Sequence, residues 1–288
     1  MTSTTSTSTT STSTTSPATT SPATTAARLP LAIELVALDI AGTTVEEGGA
    51  VYEALHTAVL EQGSGATSSD IQHWMGAEKR AAITALLTIG VSEPASALAH
   101  AGSDSGSGAA GAPGPDEATV DAAFARFTAL LREAYLLNPP TPVPGAPEAF
   151  AALRAAGVKV ALTTGFTREV TQGILDVLGW TVASGPEQWL SPEVTLDAVT
   201  CADEVPLGRP APYMVHRDME RTGVLDVARV LVAGDTVLDL RSGVNARAGA
   251  VVGVLTGKLG AADLGRERHD FLLDSVADLP ALVTRLNA

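Results

Sequence analysis

The chain alternates short apolar runs with amphipathic helical patterns from Arg28 to its C-terminus. This alternation is typical of parallel strands joined by helices that cover both faces of one sheet. We predict strands at 33–38, 158–163, 230–233, 250–255 and 271–273. We predict the connecting helices at 146–156, 168–178, 211–222, 237–248 and 276–286. The pattern therefore predicts an α/β fold with a Rossmann-like parallel sheet.

More than a hundred residues separate the first two predicted strands, too many for an ordinary crossover connection. Helical patterns occupy 51–61, 71–87 and 117–136, and the Gly/Ser/Ala/Pro tract at 101–115 has the composition of a flexible excursion. We therefore expect a core domain at 29–46 and 143–288, with a helical domain inserted at 47–142. The segment 1–28 is mostly Ser, Thr, Ala and Pro, which predicts a disordered tail.

Composition excludes several classes of protein. With 288 residues and 45% apolar content, the chain can bury a sizeable core. The net charge of -14 argues against a nucleic-acid or anionic-membrane partner, and no apolar run is long enough to span a bilayer. The first residues match no secretory signal, and Cys201 is the only cysteine, so we expect a cytoplasmic protein. An anionic substrate would need local cations.

Four polar segments, 39–44, 163–165, 208–210 and 234–239, follow predicted strands or lie in the loops between them. The carboxyl ends of parallel strands form the ligand crevice of open α/β sheets. An aspartate there can attack phosphorus, a threonine hydroxyl can hold phosphoryl oxygens, and a cation can neutralise developing charge. Asp39 is the candidate nucleophile, and acidic residues after a later strand would complete a Mg²⁺ site. The alternative is that these aspartates only cap turns and helices.

Five motifs together resemble those of the haloacid dehalogenase superfamily, in particular phosphonoacetaldehyde hydrolase (phosphonatase) and its phosphonatase-like sister clade. They are Asp39-x-Ala41-Gly42-Thr43-Thr44, Met75-Gly76-x-x-Lys79, Thr163-Thr164-Gly165-Phe166-Thr167-Arg168, Val205-Pro206-x-Gly208-Arg209-Pro210 and Gly234-Asp235-Thr236-x-x-Asp239. The resemblance implies that the parallel sheet is the core domain of this superfamily and that the inserted helices form its cap domain.

The resemblance also implies roles for individual residues. Asp39, Lys79 and Arg209 would be catalytic, with Arg209 holding the phosphoryl group and Lys79 at the position of the imine-forming lysine of phosphonatases. A small set of residues would contact the substrate or its phosphate. They are Thr163 or Thr164 at the end of the second strand, Gly165 and Arg168 after it, and Met75 and Gly76 of the inserted segment. Mg²⁺ would be held by Asp39, the Ala41 carbonyl and Asp235, with Asp239 as a further candidate.

Three positions bear on the reaction. Most of the superfamily carries an acidic residue where this chain has Ala41, so the general acid of ordinary phosphatases is missing. Phosphonatases share that alanine, but they carry a histidine where this chain has Ala82 and a cysteine where it has Gly49. We therefore place the chain in the sister clade.

The reaction that we expect is Mg²⁺-dependent hydrolysis of a small phosphonate or phosphate ester through an aspartyl phosphate. A phosphoglycolate-type phosphomonoesterase and a non-catalytic protein that binds a phosphate ligand remain as alternatives. A homodimer is also left open.

Overall fold

The computed structural model describes residues 1–2, 32–90, 114–189, 191 and 195–288. The predicted tail at 1–28 lies outside the described residues except for its first two. The predicted flexible tract at 101–115 lies outside them up to residue 113.

A parallel six-stranded sheet forms the centre of the fold. The strands of the chain are β1 Leu35–Asp39, β2 Val45–Glu46, β3 Thr141–Pro142, β4 Lys159–Thr164, β5 Ala198–Cys201, β6 Val230–Gly234, β7 Ala250–Val254 and β8 Phe271–Leu273. Six of them form the sheet in the order β5-β4-β1-β6-β7-β8, and every neighbouring pair is parallel. Because the six strands of this sheet run in the same direction, their carboxyl ends meet at one edge. The predicted parallel sheet is thus confirmed.

The helices cover this sheet and fill the insertion. They are α1 Ala50–Glu61, α2 Ser68–His73, α3 Lys79–Leu86, α4 Glu117–Leu137, α5 Ala146–Ala155, α6 Arg168–Leu178, α7 Tyr213–Thr222, α8 Val237–Ala246, α9 Ala261–Leu264 and α10 Leu279–Asn287. The first four lie between β2 and β3, which pair antiparallel where the insertion leaves and rejoins the sheet. None of the helices that the structure describes combines the length and apolar character needed to cross a membrane.

Both faces of β1 are buried, which explains its uninterrupted apolar sequence. Val36 and Leu38 face one hydrophobic cluster that includes Phe150 of α5. Leu35 and Ala37 face the other cluster, which includes Val215 of α7. Burial of each valine or leucine side chain contributes about 1.5–3 kcal/mol to the free energy of folding relative to leaving it exposed, and this fixes β1 between the two layers.

The inserted helices differ from the sequence prediction at one point that matters for the site. We predicted one helix over 71–87, but α2 ends at His73 and α3 begins at Lys79. Gly76 between them has φ +81°, a left-handed conformation that interrupts a helix and suits glycine. The Glu78 side chain then caps α3 by accepting hydrogen bonds from the N–H groups of Arg80 and Ala81. The break turns Lys79 into the first residue of a new helix.

Candidate active site

Asp39 is the last residue of β1 and lies at the carboxyl edge of the sheet. Thr163 of β4 is its partner in register on one side. On the other side β6 ends at Gly234, which Asp235 follows directly. Only 5% of Asp39 is exposed. The parallel register therefore brings three of the four predicted polar segments to one place.

Arg209 joins the fourth segment to the other three. One terminal nitrogen lies 2.6 Å from Asp39 Oδ1 and 2.8 Å from Asp239 Oδ1. The other donates a hydrogen bond of 2.5 Å to the Thr163 hydroxyl. The Arg209 side chain is 2% exposed, so these charge-assisted contacts are shielded from water. Its planar guanidinium is thus fixed against the candidate nucleophile.

Three carboxylates share this buried space. Asp39, Asp235 and Asp239 place carboxylate oxygens within 4.8 Å of one another. Burial raises the pKa of Asp39 to about 6, against the opposing effect of Arg209, and the charge of Asp239 raises it further. Burial and the charges of Asp39 and Asp239 also raise the pKa of Asp235 well above its ordinary value. The cluster therefore favours the binding of a further cation.

Asp235 and Asp239 differ in how many of their carboxylate oxygens already have a hydrogen-bond or ion-pair partner. Asp239 caps α8, because one of its oxygens accepts hydrogen bonds from the Thr236 N–H and hydroxyl while the other faces Arg209. Asp235 accepts a hydrogen bond of 2.8 Å from the Thr43 hydroxyl through Oδ1. Carboxylate oxygens of this kind are the ligands that hard divalent cations prefer. Asp39 and Asp235 are therefore the better placed of the three to hold a metal, and Asp239 orients Arg209.

The turn between α2 and α3 lies directly on the core loops. A Cβ on Gly165 would come within 2.2 Å of the Ala77 carbonyl oxygen, so only glycine permits this approach. The Gly76 carbonyl lies 3.5 Å from the same Arg209 nitrogen that contacts Asp39. Gly76 therefore lies at the carboxyl edge of the sheet, and Met75 precedes it; their predicted contact with substrate stays a prediction.

Lys79 enters the site from the start of α3. It is 4% exposed, and its Nζ donates a 2.9 Å hydrogen bond to the Ala77 carbonyl and lies 5.4 Å from the Phe166 ring centroid. Burial lowers the pKa of Lys79 to about 8; the charge of Asp39 opposes this and that of Arg209 adds to it. A lysine with a lowered pKa holds more of its neutral, nucleophilic amine at neutral pH.

The two threonines and Arg168 occupy different surroundings. Thr163 faces Arg209, whereas Thr164 lines the cavity next to Asp39 and accepts a hydrogen bond from the Phe166 N–H. The structure does not bring Arg168 to this cavity. Its guanidinium is held by the Glu204 carboxylate at 2.6 Å and by the Val199 carbonyl, because α6 points the side chain along β5.

A small cavity of about 50 Å³ lies among these groups, although Thr163, Arg209 and Asp239 do not line it. It contains the predicted residues Asp39, Ala41, Met75, Gly76, Lys79, Thr164, Gly165 and Asp235. The sequence analysis missed its other walls, which are Val51, Gln72, Phe166, Thr236, Lys258 and Leu259. Lys258 follows β7, so the rule that polar residues after parallel strands gather at one edge could have found it. The apolar walls carry no such signal.

Comparisons with known proteins agree with this geometry. The family of haloacid dehalogenase-like hydrolases matches residues 33–247. A phosphonoacetaldehyde hydrolase from Parabacteroides distasonis is 32% identical over 170 residues, which cover 51% of this chain and 60% of that protein. Another, from Paraburkholderia phytofirmans, is 26% identical over 279 residues, covering 89% of this chain and 96% of that protein.

Among solved structures, a phosphonoacetaldehyde hydrolase-like protein from Oleispira antarctica has the same fold. Its TM-score is 0.65 at 21% identity, and the match covers 89% of this chain and 93% of that one. The matched family segment includes the nucleophile loop, the inserted helices and the acidic segment after β6. The chain therefore belongs to the haloacid dehalogenase-like hydrolases, and it is a hydrolase with relatives that carry the name phosphonoacetaldehyde hydrolase.

Proposed function

We propose that the protein transfers a phosphoryl group from a small phosphonate or phosphate ester first to Asp39 and then to water, with Mg²⁺ as its cofactor. The single observation that carries this proposal is the position of the Asp39 carboxylate. It lines a small cavity, contacts the Arg209 guanidinium at 2.6 Å and lies beside a second carboxylate, Asp235. A nucleophile, a cation for the transferred group and a metal-binding pair are the parts that phosphoryl transfer needs.

The first step forms one bond and breaks another. An Asp39 oxygen attacks phosphorus while the bond from phosphorus to the leaving group breaks, which yields an aspartyl phosphate and the leaving group with its electron pair. Water then attacks that phosphorus, releases inorganic phosphate and restores the Asp39 carboxylate. In this proposal the Arg209 guanidinium beside Asp39 and the Thr164 hydroxyl on the cavity wall would hold phosphoryl oxygens as negative charge develops.

The residues present fit a magnesium ion. Asp39, Asp235 and Ala41 line the cavity and could offer two carboxylates and a backbone carbonyl as oxygen ligands, and burial together with the neighbouring carboxylates raises the pKa of both aspartates. When bound, Mg²⁺ would neutralise charge on the phosphoryl oxygens and keep Asp39 ionised. The capping contacts of Asp239 hold it behind this pair.

The buried lysine favours a phosphonate with a neighbouring aldehyde. Lys79 would condense with the aldehyde and lose water to form a protonated imine, which then accepts the electron pair of the breaking phosphorus–carbon bond. The resulting enamine takes a proton at carbon, and water hydrolyses the imine to free Lys79. This chemistry needs no general acid at Ala41, and it does need the lowered lysine pKa of about 8.

A phosphomonoesterase is the second candidate. Ala82 and Gly49 stand where phosphonatases carry a histidine and a cysteine, and Ala82 is fully buried in α3, so it offers no group that could replace the histidine. A phosphate ester would then depend on a leaving group that departs without the missing acid. Loss of such an acid typically slows a reaction by about 10²–10⁴-fold.

We further propose that residues 47–142 act as a cap domain over the core at 29–46 and 143–288. The turn between α2 and α3 already lies on the loops that follow β4 and precede α7, as the close approach of Gly165 and Ala77 requires. Separation of this turn from the core would open the cavity to substrate. Its return would exclude water while the aspartyl phosphate forms.

The deciding experiment is a screen for Mg²⁺-dependent phosphate release, with the Asp39→Asn variant as the blank. Phosphonoacetaldehyde and several small phosphate esters are the substrates. Release from phosphonoacetaldehyde alone, abolished by Lys79→Arg, would support the imine route. Release from esters that survives Lys79→Arg would support the phosphomonoesterase. Binding of phosphate analogues without any release above the blank would overturn both and leave a ligand-binding protein.

A further inference from the structure

Lys258 is a cation at the mouth of the cavity that the proposed reaction does not use. It lies in the loop after β7 and lines the same cavity as Asp39 and Lys79, but unlike them it is exposed. Within the part of the chain that the structure describes, its ammonium group makes no hydrogen bond and no ion pair within 4.0 Å. An ammonium without a contact partner at the entrance of an active site is available to a ligand.

The Lys258 ammonium lies beside the start of α1, next to the cavity. Its Nζ lies 3.5 Å from the position that a Cβ would take at Gly49, so the lack of a side chain there leaves room for it. Gly49 precedes α1, whose N-terminal N–H groups also carry partial positive charge. Glu47 supplies an attractive charge nearby, but its own carboxylate already accepts a hydrogen bond of 2.8 Å from the Val51 N–H.

The other cations near the entrance are already paired. A larger cleft of about 620 Å³ adjoins the cavity and shares Gln72, Met75, Thr236 and Leu259 with it. Its two arginines, Arg241 and Arg266, form ion pairs with Glu267 and Asp263 at 2.7 Å and 3.3 Å. Two lysines of the cavity therefore lack a contact ion pair among the described residues, the exposed Lys258 and the buried Lys79. In a chain with a net charge of -14, an anion that enters from solvent meets the exposed Lys258 first.

We propose that Lys258 determines specificity for the leaving group by binding a carboxylate, or another small anionic group, on the organic part of the substrate. The phosphoryl end of the same molecule would lie against Asp39, which lines the cavity and contacts Arg209 behind it. The small cavity, of about 50 Å³, suits a substrate with a short link between the two ends. This inference rests on the proposed function only for the orientation of the substrate.

Binding of three stable phosphonates tests the inference without turnover. Phosphonoacetate, ethylphosphonate and 2-aminoethylphosphonate have similar sizes, and their organic ends are anionic, neutral and cationic. Calorimetry with the full chain in Mg²⁺ should show phosphonoacetate binding about five- to tenfold more tightly than ethylphosphonate, as expected for a partly exposed charged hydrogen bond. Lys258→Gln should bring this ratio close to one, and Lys258→Arg should keep it. Lys258→Glu should shift the preference towards 2-aminoethylphosphonate.

The matched control is Arg285→Gln, which removes one exposed positive charge from α10, on an element that does not line the cavity. An unchanged ratio in Lys258→Gln, or an equal fall in Arg285→Gln, would overturn the inference, because the preference would then reflect overall charge. The same variants in the phosphate-release screen separate the two proposals. A ratio that depends on Lys258 without release from any substrate removes the hydrolytic proposal and keeps the anion site. Phosphate release without a binding ratio that depends on Lys258 removes the anion site and keeps the hydrolytic proposal.

Discussion

Replacing Arg209 with methionine should destabilise the protein in a way that Mg²⁺ reverses. Methionine keeps an unbranched apolar side chain of similar length but removes the positive charge that contacts Asp39 and Asp239. Both carboxylates are almost completely buried, so neither can recover its lost partner from water. Removal of one side of a buried ion pair leaves an uncompensated buried charge, which is the expensive case.

The size of the effect follows from that burial. A broken buried pair costs about 3–5 kcal/mol, and about 2–4 °C of melting temperature is lost per kcal/mol in a domain of this size, so we expect a fall of about 10 °C in EDTA. The pKa of Asp39 is already raised to about 6 with Arg209 present, and it should rise further without it. An acid with a raised folded-state pKa destabilises increasingly as pH rises from its unfolded value, so the loss should be larger at pH 8 than at pH 5.

Thermal unfolding followed by circular dichroism, in EDTA and in saturating Mg²⁺, measures this prediction. Mg²⁺ at about a hundred times the parent's Kd should return about 2.7 kcal/mol to the parent, and more to the variant, whose unpaired carboxylates should bind Mg²⁺ more tightly. Arg241→Met is the control, since its pair with Glu267 at 2.7 Å is an exposed ion pair, 49% exposed on the arginine side, and worth about 0–1 kcal/mol. The reasoning is refuted if the two variants melt within about 3 °C of each other in EDTA, or if Mg²⁺ stabilises the parent more than Arg209→Met.

Three further predictions concern the cavity. Borohydride trapping of phosphonoacetaldehyde on Lys79 should increase through a midpoint near pH 8, as read by mass spectrometry, and a midpoint near the ordinary lysine value of 10.5 would contradict the burial argument. Gly165→Ala should lower phosphate release at least tenfold and stability by about 1–3 kcal/mol, because the new Cβ would lie 2.2 Å from the Ala77 oxygen. The control is Gly173→Ala in α6, where a Cβ meets no atom within 4 Å. It should lower neither phosphate release nor stability. Asp235→Asn should abolish the Mg²⁺-dependent rise in melting temperature, and an undiminished rise would exclude Asp235 as a ligand.

The central strands could be predicted from sequence because burial on both faces demands continuous apolar runs. The prediction at 33–38 places β1 within two residues of its observed bounds, and that at 271–273 matches β8. The prediction omits β5, Ala198–Cys201, a four-residue edge strand with a threonine in its middle. So short a run has neither the length nor the alternation that separates a strand from a loop.

The site was partly predictable for a related reason. Asp39 ends β1 and Asp235 directly follows β6, so the strand order alone brings them together. The single helix predicted over 71–87 was wrong, because amphipathic periodicity continues through Gly76 although the backbone there is left-handed. Arg168 shows a second limit of prediction from sequence. It lies next to a motif typical of phosphate sites, but the carboxylate of Glu204 holds its guanidinium elsewhere. Such pairing depends on contacts between segments far apart in sequence.

Because Ala41 supplies no acid, we expect the residues that contact the leaving group to determine which substrates react. In a site that carries an acid next to the nucleophile, protonation lets many oxygen leaving groups depart, and the cap only has to admit them. Under the proposed reaction the Ala41 side chain offers no proton, so the leaving group would be activated by Lys79 or would leave readily on its own. Lys79 comes from α3 and Lys258 from the loop after β7, so the inserted helices and the core each supply one cation to the cavity. If Arg209 holds the phosphoryl group as proposed, a substitution at either lysine should change which substrates react more than how tightly that group is held.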